Sequence, residues 1–223
     1  MNLKPIFIIV ILFSLLLQLK NCRYGAEHQE VDPKYKGAHL AAVNGQNLLK
    51  EKKAAEALRY YEMAKAELEH ENVRGDRGED KYINYGFVLN EIGVIHLAWA
   101  LYGQEPDPAQ TRVDPAAVDQ EELELARESL QGAVEFYLRW YPNNPKGYER
   151  FAKAISNSYA NLGTALKYGG QRDQAVAAFI NALKYNPDNG NAEHDLGLLE
   201  IDPAPYVKEG EAEWQKHKRK GPL

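Results

Sequence analysis

The chain has 223 residues, enough for one ordinary domain, and its 44% hydrophobic content excludes a wholly disordered polypeptide. Its formal charge is −5, from 27 Lys+Arg against 32 Asp+Glu. That balance argues against nucleic acid as the main ligand, because neutralising phosphates takes a basic surface.

The first element is "MNLKPIFIIVILFSLLLQLKNC", with a basic start at Lys4 and an apolar core from Ile6 to Leu17. A core of that length suits a secretory signal peptide over 1–21, whereas a spanning helix needs about 20 apolar residues. A window from Leu3 to Leu19 leaves an uncleaved anchor as an alternative, interrupted by Pro5, Ser14 and Gln18. The only cysteine, Cys22, follows at once, so no disulfide can form within one chain. Residues 1–21 hold Lys4 and Lys20 and no acid, so a chain cleaved before Cys22 carries 25 basic against 32 acidic side chains, a formal −7.

Leu19-Lys20-Asn21-Cys22 resembles the end of a bacterial lipoprotein signal. The resemblance implies that Cys22 becomes the first mature residue and carries acyl chains such as palmitate. It also implies a lipid-anchored protein of the bacterial cell envelope, in the outer membrane in preference to the inner. Lys20 and Asn21 depart from the small residues common before such a cysteine, and a free thiol is the alternative. Residues 22–36 are polar with Gly and Pro, and read as a tether.

Next comes "GQNLLKEKKAAEALRYYEMAKAEL", with Gly45 and Leu48 on one helix and Ala57, Tyr61 and Ala64 at i, i+4 and i+7 on a second. This unit spans about 37–70, and its alternative is a plain amphipathic hairpin. A second unit over 80–141 has Leu89, Ile92 and Gly93, then Ala126, Leu130 and Ala133. A Pro- and Asp-rich insertion at 103–119 separates its halves, either functional or a tolerated excursion. The third unit, 145–189, is the clearest. Tyr159, Leu162, Gly163 and Leu166 form one helical face, and Gly169-Gly170 supplies a turn. Ala175, Phe179 and Ala182 then form a second face, which Pro187 ends.

Helices pack closely where a small side chain on one meets a large one on the other, so this spacing is a packing code. It resembles the tetratricopeptide repeat, a helix-turn-helix unit of about 34 residues. The resemblance implies an all-α fold, a right-handed superhelix of antiparallel helix pairs over 37–202. Ala192, Leu196 and Gly197 restart the pattern before Asp202-Pro203, which implies a single capping helix over 190–200. Residues 203–223 read as a charged, partly helical tail. Its His217-Lys218-Arg219-Lys220 run is a solvated terminus or a contact for anionic lipid.

Signals for chemistry are weak. His28, His39, His70, His96, His194 and His217 include no His-Glu-x-x-His pair, and no second cysteine completes a metal site. His96 falls on the apolar face of "NEIGVIHLAWAL" and reads as a packing residue. "DNGNAEHD" lacks the alternating acids of a calcium loop, and no Gly-Lys-Ser/Thr follows the glycines near 163–170. The acids of "DQEELELARES" suit a helix start. No nucleophile motif appears, so the reading is a non-enzyme without cofactor or metal.

The repeat resemblance implies a concave groove lined by the first helices. By position its residues are His39, Ala42 and Gln46, then Phe87, Asn90 and Val94. Asn157, Ala160, Asn161 and Thr164 follow, and then Asn191, His194 and Asp195. The Lys and Arg of a carboxylate clamp are absent. Asn side chains offer donors and an acceptor to an extended backbone, or are ordinary solvated residues. The sequence thus points to an envelope adaptor or assembly factor binding a peptide or helix of a partner protein. Alternatives are an enzyme with its site near the insertion, and a surface-exposed structural or host-contact lipoprotein.

Overall fold

The computed structural model describes residues 36–70, 79–104, 112–140 and 148–219. The expected signal segment, Cys22 and the tether before Lys36 lie outside the described residues, as do 105–111 of the insertion and 220–223. Among the described residues every regular element is helical and no strand occurs. The elements are α1 (Lys36–Lys50), α2 (Ala54–His70), α3 (Glu79–Tyr102) and a 3₁₀ turn at Pro115–Ala117, followed by α4 (Gln120–Trp140). Then come α5 (Tyr148–Tyr168), α6 (Arg172–Tyr185), α7 (Gly190–Leu198) and α8 (Ala204–Arg219). The fold class is all-α. No described helix is long and apolar enough to cross a membrane.

Local chemistry sets the boundaries. Asp119 Oδ1 accepts from the backbone N–H of Glu121 and Glu122 at 3.0 and 3.1 Å, starting α4 where two acids favour the helix dipole. Asn189 caps α7 in the same way through Ala192 N–H at 3.1 Å. After α1, α5 and α7 a residue takes positive φ: Lys52 (63°), Gly170 (75°) and Glu200 (61°). The next N–H then reaches back into the helix, from Lys53 to Leu48 (2.9 Å), Gln171 to Leu166 (2.9 Å) and Ile201 to Leu196 (3.0 Å).

Three helix hairpins result, and each has a glycine at a close helix contact. A Cβ on Gly45 would stand 2.9 Å from the Tyr61 ring, on Gly93 2.6 Å from Leu130 Cγ, and on Gly163 2.6 Å from the Phe179 ring. Only a residue without a Cβ lets those side chains lie on the helix backbone. The stripes facing them, Ala57/Tyr61/Ala64, Ala126/Leu130/Ala133 and Ala175/Phe179/Ala182, are all 0% exposed. Contacts that run in opposite senses, Gly45 on Tyr61 and Gly37 on Glu67, make the first pair antiparallel. Gly93 on Leu130 and Gly86 on Tyr137 do the same for the second.

Adjacent hairpins share their cores. One apolar cluster runs from α3 and α4 through α5 and α6 to α7, and a second joins α1 and α2 to α3. Tyr137, Phe151 and Ile155 bridge α4 and α5. Ser156 Oγ donates to the Ala182 carbonyl (2.8 Å) and accepts from Asn189 Nδ2 (2.8 Å), tying α5, α6 and the start of α7 together. Pro187, also buried, closes that corner.

Two segments have more structure than their composition announces. The insertion leaves α3 at Gly103 (φ 77°) and returns so closely that Asp119 N–H bonds the Ala100 carbonyl at 3.0 Å. Val118 is buried and Val113 packs on the core, so the α3–α4 hairpin closes as if uninterrupted. The segment read as a charged tail is, over 204–219, one helix docked on α6. Gly210 makes this possible, since a Cβ there would collide with the Leu183 carbonyl. Tyr206 and Val207 join the core and Lys184 pairs with Glu209 at 3.2 Å, so charge on the outer face masked an inner apolar one.

Candidate interaction surface

The first helices touch in chain order, α1 with α3, α3 with α5 and α5 with α7, and polar side chains cross between them. Asn90 of α3 is the hub. Its Oδ1 accepts from Ser158 Oγ (3.1 Å) and from Asn161 Nδ2 (3.2 Å), both on α5. Its Nδ2 donates to Glu91 Oε1 at 3.2 Å. Asn90 and Ser158 are buried, so these bonds replace water that burial removes. Glu91 and Asn161 are half-buried and form the accessible edge of the cluster.

Glu91 is the electrostatically unusual member. Desolvation pushes its carboxyl up to about 7, against the opposing pull of the Asn90 hydrogen bond. Near neutral pH it is therefore poised between charge states, a property that concentrates at binding and catalytic sites.

One turn further along, Lys167 of α5 pairs with Asp195 of α7 at 2.6 Å. The Lys167 ammonium also stands 4.8 Å from the centre of the Tyr168 ring. Thr164 Oγ1 lies 3.1 Å from the Ala160 carbonyl and 3.4 Å from Asp195 Oδ2, so its polar capacity is turned inward. Burial raises the phenols of Tyr159 and Tyr168, the latter aided by Asp195. Tyr159 stacks on Tyr185 with centroids 6.0 Å apart, and Leu162 beside it is buried.

The residues expected to line a groove therefore divide. His39, Gln46, Asn157, Asn161, Thr164, Asn191 and Asp195 are half-buried, and His194 is exposed. Ala42, Val94 and Ala160 are buried at the helix contacts. Phe87 is corrected: it lies edge-on to Tyr61 with centroids 6.2 Å apart, inside the core that joins α3 to the first hairpin. Its size suits that interface better than an open face. Asn90 is likewise a buried hub rather than a contact residue.

Glu91 was missed, although a signal existed. It stands two residues before Gly93, as Asn161 does before Gly163 and Asp195 before Gly197. Sequence register alone puts it on the same side as both.

His96 Nδ1 lies 2.6 Å from Glu122 Oε2 and its ring is edge-on to Trp99, which fixes the start of α4 against α3. Ser158 directs its hydroxyl at Asn90 from a buried position and is no exposed nucleophile. No group of three metal-ligating side chains occurs among the described residues. On α7, a shallow depression of about 450 Å³ is lined by Gly190, Glu193, His194, Gly197, Leu198 and Pro203.

No protein-family model matches the chain, and neither a curated protein nor a solved structure does.

Proposed function

We propose that the chain is a tetratricopeptide-repeat-like binding module, a right-handed superhelix held at a bacterial envelope membrane through Cys22. Its groove, lined by α1, α3, α5 and α7, takes a peptide or helix of a partner protein, and the chain acts as an adaptor or assembly factor. One observation carries this reading: the Asn90–Ser158–Asn161–Glu91 cluster crosses between adjacent first helices and ends at a half-buried edge. Asn161 supplies amide hydrogen-bonding groups there, and Asn157 lies one turn before it on the same face. Glu91 adds an acid held in a poorly solvated frame, which a basic side chain of a partner stabilises by pairing.

The test places a photo-crosslinking amino acid at Asn157 in the full chain, expressed in bacteria. A discrete crosslinked partner, weakened by Glu91→Lys, is the expected result. Crosslinks that form from the 103–119 insertion and not from Asn157 overturn the groove reading.

A further inference from the structure

Three first helices present a glycine that a large side chain of the following helix covers: Gly45 by Tyr61, Gly93 by Leu130 and Gly163 by Phe179. The fourth, α7, repeats the same local sequence. Leu196-Gly197 stands where Ile92-Gly93 and Leu162-Gly163 stand, and Leu196 is buried like its counterparts. Among the described residues no side chain covers Gly197. A Cβ on Gly197 would meet nothing within 4 Å, nor would one on Gly190, two turns earlier on the same face. Leu198 beside it is 62% exposed. The next helix, α8, packs on α6, and the Gly190–Gly197 face borders the open depression on α7.

The charges that α7 and its flanking residues carry have one sign, and the nearby Arg172 guanidinium is engaged by the Leu199 carbonyl at 2.6 Å. From Asp188 to Asp202 there are five acids and no Lys or Arg. Asp195 is neutralised by Lys167, while Asp188, Glu193, Glu200 and Asp202 are exposed. Glu193 stands one turn before Gly197 on α7 and lines the depression, and Glu200 follows in the turn whose N–H bonds the Gly197 carbonyl at 3.1 Å, so both lie near the uncovered position. A second copy meeting this face with its own would bring like charges together, which disfavours association.

We infer that the Gly190–Gly197 face of α7 docks a basic amphipathic helix of a partner protein, completing a fourth hairpin. The occupant places a large apolar side chain over Gly197, small residues four before and three after it, and Lys or Arg beside Glu193 and Glu200. The first two requirements are copied from the three filled hairpins, and the third follows from charge complementarity. This surface shares α7 with the groove, and His194 borders both, but the inference does not depend on the groove.

The probe is a fluorophore-labelled synthetic helix carrying the Ala-Phe-Ala stripe of α6 with lysines on its flanks, titrated by anisotropy against the chain. Binding is expected, weakening as salt is raised and falling about tenfold or more when the Phe is replaced by Ala. Gly197→Leu points into open space, so its thermal melt should match the parent while peptide binding is lost. Glu193→Lys with Glu200→Lys should weaken binding about tenfold, and Glu91→Lys should leave it unchanged. Failure of the peptide to bind, or equal binding by Gly197→Leu, overturns the proposal. So does a dimer of the chain alone that Gly197→Leu dissolves, because the occupant is then a second copy.

Discussion

Asn161 on α5 donates a hydrogen bond to Asn90 on α3 at 3.2 Å, and Ser158 donates to the same oxygen from one turn away. A single buried amide thereby fixes the spacing of two first helices, and the half-buried residues around it inherit that spacing. Asn90→Ala should strand the buried Ser158 hydroxyl and cost about 1–3 kcal/mol, whereas Asn161→Ala should cost about 0.5–1.5 kcal/mol. Urea midpoints decide the order, and equal or reversed losses would show that the hub lies elsewhere.

Glu91 carries a pH signature with a definite sign. Its folded-state value, about 7, exceeds the ordinary carboxylate range near 4.5. The folded state therefore favours the protonated acid. This group's contribution is fully present below the unfolded value and is lost as pH rises through 7. Allowing for its partial exposure, the loss is on the order of 2–3 kcal/mol. Glu91→Gln should flatten the stability change between about pH 5 and pH 8 and raise the urea midpoint at the upper end. An unchanged slope would mean that the carboxyl titrates like an exposed one.

Packing offers a sharper contrast. Ala175 is fully buried against its partner helix, and Ala177, two residues on, is exposed. Ala175→Leu should overpack the contact and cost about 1–3 kcal/mol. Ala177→Glu should stay within about 0.5 kcal/mol of the parent. Matching midpoints would contradict the burial pattern.

Much of the helical class was legible because small and large residues recur at i, i+4 and i+7, a period that strands cannot use. The turns were less so. Gly169-Gly170 announces itself, but the same left-handed turn after α1 uses Lys52 and after α7 uses Glu200, residues with no turn signature. The docked α8 was hidden because its charged outer residues outnumber the few apolar ones that face α6. The candidate site was legible only in outline. Register puts Asn161 and Asp195 on one side, yet which of its polar residues turn inward depends on helix spacing, as Asn90 and Thr164 illustrate.

Those turns can be tested directly. An L side chain at positive φ is strained by about 1–2 kcal/mol, and glycine relieves it while adding about 0.5–1 kcal/mol of unfolded-state entropy cost. Lys52→Gly should thus be neutral to mildly stabilising, and Gly170→Ala should destabilise by about 1 kcal/mol. Thermal melts of both variants provide the measurement. A Lys52→Gly protein less stable than Gly170→Ala would contradict the shared turn geometry.

The proposed membrane attachment rests on Cys22, directly behind the apolar stretch that ends near Leu19. Each buried acyl CH₂ contributes about 0.8 kcal/mol, and one chain alone gives only marginal, reversible binding. A durable anchor therefore requires more than one chain on the processed N-terminus. Mass spectrometry of the mature protein should find cleavage after Asn21 and a multiply acylated Cys22. In cells, Cys22→Ser should block that processing and leave the polypeptide about the length of residues 1–21 heavier on a gel. Cleavage at another bond with an unmodified thiol would remove the lipid anchor and leave the proposed binding module to be explained as a freely exported one.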